Sequence, residues 1–197
     1  MSEEKYQRVE IGKYIVADPY ICHGKLTVRG TQVLVHRVIK SLSSGGTIDE
    51  VATGNEIPRE AVVEGLHLAA EALLEKYRVP YPEPPSMEEL LKAKKITFDE
   101  KYQRVEIGEY IVADPYICHG KPTFRGTRVM VHFVLRSFRR GETINRLALD
   151  YQIPPEAVVE GLRLAAEALV EKYAVPYPNP LSTDELLKMD SAHQSVS

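Results

Sequence analysis

The chain has 197 residues, 44% of them hydrophobic, with a formal net charge of -3 at pH 7. That length and apolar content suit one ordinary domain or two small ones, and exclude a disordered tail. No apolar run approaches the roughly eighteen residues of a membrane helix, and the opening MSEEKYQRVE lacks the basic start and apolar middle of a signal peptide, so a cytoplasmic location is expected. The net charge offers nucleic acid no global attraction, so any such binding must come from a local patch. The two cysteines, Cys22 and Cys118, are expected to be free thiols.

HGKLTVRGTQVLV, starting at His23, returns as HGKPTFRGTRVMV, starting at His119. With a shift of 96, Lys5 to Pro84 aligns with Lys101 to Pro180, and about 56 of those 80 positions match. The units are read as residues 1–96 and 97–197, with the boundary falling near Lys94 to Glu100. Two copies are too few for a solenoid and fit a dimer fused into one chain.

In the second copy Tyr110, Ile111 and Val112 form a short β-rich run stopped by Asp114-Pro115, because a residue before proline is pushed out of the helical region. Thr123 to Arg125 and Thr127 to Val129 read as two short strands. Gly126, like Gly30 in the first copy, would be the turn between them, since glycine takes positive φ at little cost. Alternation would set Thr123, Arg125 and Thr127 on one side and Phe124 on the other, and the β elements of the two copies would associate. Cys118 and His119, in an extended segment, would point to opposite faces and so could not share an ion within one copy.

From Val131 the period changes. Val131, Val134, Leu135 and Phe138 mark one buried helical face, ending at Gly141. A second helix begins after Thr143 with Ile144, Leu147, Ala148 and Tyr151 on its stripe, and a third runs from Pro155 to Tyr173 with Val158, Leu162, Ala165 and Leu169 inward. The short break between the last two spells a helix-turn-helix layout. In the first copy, Gly54 sits inside the second helix at a cost of about 1 kcal/mol against alanine, which predicts a short or frayed helix. Ser86 with Glu89, and Ser182 with Glu185, repeat a capping-box pattern that announces a short helix after each proline-rich segment.

HGKPTFRGTRV, then a helix, then GETI with a second helix, then IPPEAVVEGLRLAAEAL resemble the domain of unknown function 433 family, small prokaryotic proteins similar to the antitoxin halves of VapBC-type toxin–antitoxin pairs. The resemblance covers about 75 residues of each copy. It implies a mainly α fold with short β elements: two homeodomain-like three-helix units, each preceded by a small β hairpin, forming a pseudo-dimer. By analogy it implies an antitoxin-like, DNA-binding transcriptional regulator, with DNA and a cognate toxin protein as partners. The alternative is a protein-interaction module without DNA binding.

A base-reading helix would carry arginine, lysine, asparagine or glutamine on its first turns, yet here Pro155, Glu156, Ala157 and Glu160 stand there. The electrostatic case for nucleic acid lies instead in Arg125, Arg128, Arg136, Arg139, Arg140 and Arg146, with a thinner set of Arg29, Arg37 and Lys40 in the first copy. A run of exposed arginines is also what a solvated face looks like. Neither a phosphate loop, a nucleophile elbow nor a close-spaced metal-ligand pair occurs, so no enzyme, cofactor or metal is expected.

Overall fold

The structure, a computed structural model, describes residues 7–82 and 102–177. The two capping boxes and the proposed boundary lie outside the described residues. Each copy opens with a three-stranded antiparallel sheet: β1 (Val9–Glu10), β2 (Ile15–Ala17) and β3 (Leu26–Val28) in the first, β4 (Val105–Glu106), β5 (Ile111–Ala113) and β6 (Pro122–Phe124) in the second. The middle strand pairs Ile15 with Val28 and Ile111 with Phe124. It is buried along its whole length in both copies, as β-branched residues covered on both faces should be.

The expected two-stranded hairpin across Gly126 is therefore corrected to this sheet. Thr127–Val129 is not a strand. Phe124 N–H donates to the Val129 carbonyl at 3.0 Å, the Thr127 hydroxyl donates to the Phe124 carbonyl at 2.9 Å, and a single bridge joins Thr123 to Met130. The turn consumes the residues a second strand would need. Thr123 does not face solvent either: it is as fully buried as Phe124, because both faces of the small sheet are covered.

Among the described residues six helices follow: α1 (Val35–Leu42), α2 (Ile48–Gly54) and α3 (Arg59–Tyr77), then α4 (Val131–Ser137), α5 (Ile144–Tyr151) and α6 (Pro155–Tyr173). A 3-10 turn, Phe138–Arg140, prolongs α4 to Gly141. Thr47 and Thr143 cap α2 and α5 through their side chains, with Glu50 completing a capping box in the first copy. The expected apolar stripes of α4 and α6 are inward, with Val131, Val134, Leu135, Phe138, Val158, Leu162, Ala165 and Leu169 fully buried, whereas on α5 Ile144, Leu147 and Ala148 are buried and Tyr151 is half-exposed. α2 ends at Gly54 and is one residue shorter than α5.

The copies form one core. The long helices α3 and α6 pack on each other, α1 packs on α6 and α4 on α3, so each first helix leans on the other copy's third. Ala69, Ala70 and Ala72 on α3, and Ala165, Ala166 and Ala168 on α6, are buried and let the helices approach closely. Among the described residues no strand of one copy pairs with a strand of the other, which corrects the expectation that the β elements would associate. Nor is any helix there long and apolar enough to cross a membrane.

What the Cys-His-Gly stretches contribute to assembly is a clasp. Past α3, Val79 N–H donates to the Gly120 carbonyl at 2.9 Å; past α6, Val175 N–H donates to the Gly24 carbonyl at 3.0 Å. Tyr81 meets His119 edge to face, and Tyr177 meets His23, each with ring centroids 5.0 Å apart. Ion pairs Lys76–Glu171 and Lys172–Glu75 flank the exchange. The clasped segments are 3-10 turns, not extended chain, and Cys22, His23, Cys118 and His119 all have φ between 49 and 58°. Left-handed non-glycine residues cost about 1–2 kcal/mol each, so this geometry persists because the exchanged tail holds it.

Two pairs of glycines separate strain from crowding. Gly30 and Gly126 have φ +76 and open space around them, whereas a Cβ at Gly120 (φ +70) would lie 2.1 Å from the Val79 carbonyl oxygen. Gly126→Ala should cost about 1 kcal/mol of unfolding free energy in urea, from backbone strain alone. Gly120→Ala should cost more than twice that, because it also forces the clasp open. Equal losses at the two positions would show that the clasp contributes nothing.

Candidate binding face

The outward polar residues at the start of the second copy's third helix are carboxylates rather than base-reading side chains. Of its outward residues, Glu160 turns onto the β4–β5 connection, where it accepts the backbone N–H of Glu109 at 2.8 Å and of Tyr110 at 2.7 Å. Arg163 lies 3.2 Å from Glu167 and 3.9 Å from Glu160. Glu156 is exposed, with no hydrogen bond or ion pair among the described residues. Glu64 makes the same two bonds to Lys13 and Tyr14 in the first copy. A glutamate that looked like a charge facing phosphate is the tie between helix and sheet. The sequence hides this, because its partners lie 50 residues away.

The nine predicted cationic residues do not form one surface. Arg29 and Arg125 are anchors: Arg125 Nε donates to the Glu109 carbonyl at 2.7 Å and Nη2 to the Gly108 carbonyl at 3.0 Å, with Glu106 as ion-pair partner, and Arg29 repeats this with Lys13, Gly12 and Glu10. Arg146 pairs with Asp150 at 3.1 Å on its own helix. Arg37 and Lys40 are exposed on α1, while Arg128 is exposed beside the turn after β6. Only Arg136, Arg139 and Arg140 come together, at the end of α4.

Those three share a surface groove of about 350 Å³ with Phe133, Ser137 and Tyr151. Arg136 is half-buried and reaches across to Glu71 of the first copy at 3.2 Å, while Arg139 and Arg140 are exposed with no ion pair among the described residues. The Ser137 and Tyr151 hydroxyls lie 2.8 Å apart and fix the groove's far wall. Phe133 is 48% exposed, and Leu149 on the neighbouring helix 70%. The sequence reading passed over Phe133 and gave Tyr151 only as a stripe residue of the second helix. An aromatic lying off the buried stripe of α4 was the available signal for the first. At the matching positions the first copy has Arg37, Ser43, Ser44, Thr53 and Asn55 for Phe133, Arg139, Arg140, Leu149 and Tyr151. Among the described residues the face occurs once.

Behind it His132 is buried, and its Nδ1 has no hydrogen-bond partner. Burial, with Arg136 and Lys121 nearby, pushes its pKa down to about 4. Burial, with Lys25, Lys40 and Arg37, also lowers His36. Cys22 and Cys118 each donate their thiol to a backbone carbonyl, that of Gln32 or Arg128. Among the described residues no three histidine, cysteine or carboxylate side chains converge on a metal position.

Two outcomes follow. A histidine kept neutral in the fold takes up a proton on unfolding once pH falls below about 6.5, so stability should be full above that value and decline as pH drops toward 4. His132→Asn should flatten the pH 6.5 to 4.5 part of a melting-temperature profile more than His36→Asn does. Separately, Glu160→Gln should lower unfolding free energy by about 1–3 kcal/mol through its two backbone bonds, while Glu156→Gln should leave it unchanged.

No curated protein and no solved structure matches the chain. A family model described as a protein of unknown function, DUF433, matches it twice, at residues 15–69 and 111–165. These spans run from the central strand of each sheet into the long helix of each copy, and together cover more than half of the sequence. The chain therefore belongs to the DUF433 family, as a tandem duplication of its domain.

Proposed function

We propose that this chain is a non-enzymatic, antitoxin-like binding module whose second copy presents one basic and aromatic face to an acidic protein partner. The observation that carries the reading is the one-sided gathering of Phe133, Tyr151, Arg136, Arg139 and Arg140 around a single groove. Aromatic residues and arginines dominate the energetics of protein interfaces, and an arginine row selects carboxylates. Leu149 extends the apolar part of the face.

Base reading of DNA is disfavoured, because Glu160 is occupied by the sheet, Glu156 repels phosphate, and Arg128, Arg139, Arg140 and Arg146 are answered in the first copy by Gln32, Ser43, Ser44 and Glu50, which leaves a two-fold operator unevenly contacted. Exposed Arg128, Arg139 and Arg140 support a second reading, contact with the phosphate backbone alone, as a sequence-independent regulator would make.

The test is a variant with Arg136, Arg139 and Arg140 changed to serine, residues the first copy already carries at the last two matching positions. Partner recovered with the parent from cells should be lost with the variant, while the parent should bind its own upstream DNA no better than a random duplex at low salt. Affinity for upstream DNA that falls steeply with salt and vanishes in the variant would instead establish the DNA-binding regulator.

A further inference from the structure

A second groove lies at the seam between the copies, with a volume of about 470 Å³, in the range of small-molecule sites. Its apolar lining comes from Tyr14, Val63 and Leu66 of the first copy and Leu135 of the second. Around this stand Lys13, Arg59, Arg136 and Arg139. The wall is tied across the seam, since Arg59 Nη2 donates to the Arg139 carbonyl at 2.6 Å while its Nε bonds Asp49 at 2.8 Å. Arg136 pairs with Glu71, yet its Nε is buried without a partner. Of the two carboxylates lining the groove, Glu64 is spent on the backbone N–H groups of Lys13 and Tyr14, leaving Glu60.

The pseudo-two-fold supplies an internal control. A shift of 96 residues replaces Lys13 with Glu109, Arg59 with Pro155 and Arg139 with Ser43, while Glu60 and Glu64 persist as Glu156 and Glu160. Three of the four cations are thus absent on the other side. The seam's apolar positions are kept, with Val63 and Leu66 answered by Val159 and Leu162. Fold maintenance does not require Lys13, Arg59 and Arg139, because the other side keeps its apolar positions without them.

We infer that the seam groove binds one small organic anion per chain, a phosphate or carboxylate joined to an apolar or aromatic body that lies against Tyr14, Leu66 and Leu135. The anionic group sits among Lys13, Arg59 and Arg139, which offer charge-assisted hydrogen bonds. This does not rest on the partner-binding reading, since Lys13 and Arg59 lie outside that face.

The probe is 8-anilinonaphthalene-1-sulfonate, an aromatic body with one anionic group, titrated by fluorescence into the full-length protein. One equivalent should bind, and Lys13→Glu, which copies Glu109, should weaken binding about tenfold with the melting temperature unchanged. Should Lys13→Glu disturb folding, Arg139→Ser, which copies Ser43, serves with the same expected loss. Phenyl phosphate or benzoate should displace the probe, and the stronger competitor names the anionic group. Two equivalents per chain, unchanged affinity in the variants, or displacement by neutral p-cresol as good as by either anion would overturn the inference.

Discussion

The fold depends on the contact between α3 and α6. Each of these helices must satisfy its own sheet and short helices on one side and the other copy on another, so each keeps only a narrow polar stripe, Glu156, Arg163, Glu167 and Glu171 on α6. The small residues Ala69, Ala70, Ala165 and Ala166 make that possible, because bulky side chains there would hold the helices apart. Once the two long helices are in contact, α1 and α4 each find part of their apolar cover on the opposite copy. A single unit taken alone would bare the faces of α1 and α3, or of α4 and α6, that pack on the other copy, at about 1.5–3 kcal/mol for each large side chain exposed. Fusion of two copies makes that association intramolecular, and so nearly independent of protein concentration.

Divergence between the copies respects this constraint. The seam helices and the Cys-His-Gly turns, which the clasp requires, are almost identical, whereas the ends of α1 and α4 and the neighbouring α2 and α5 differ. Charge has therefore changed where packing permits it. Ser43 and Ser44 stand at the positions of Arg139 and Arg140, and Lys13 at that of Glu109. A symmetric scaffold has acquired an asymmetric surface, consistent with a single macromolecular partner and a single small-ligand groove per chain.

Helix positions were legible because their signals are local. Thr143 caps α5, Pro155 opens α6 and Tyr173 closes it, and Gly126 has the positive φ expected of it. The edge strands Val9–Glu10 and Val105–Glu106 were missed because two exposed residues carry no periodicity. The left-handed turn at Cys22 and His23 was also hidden, since nothing local favours it; the tail of the other copy stabilises it from more than 150 residues away. The site was read in part. The three arginines at the end of α4 do gather, but Arg29 and Arg125 proved to be fastenings between turn and sheet, a role visible only once the carbonyls of Gly12 and Gly108 are placed beside them.

The central claim is that the two copies are one folded body rather than two domains on a string. It can be tested by placing a protease site between residues 82 and 102, cutting, and following the products by light scattering and calorimetry. The account predicts that the two pieces remain together at the parent mass of 22.2 kDa and unfold in one transition. Separation into two folded pieces, each melting on its own, would contradict it.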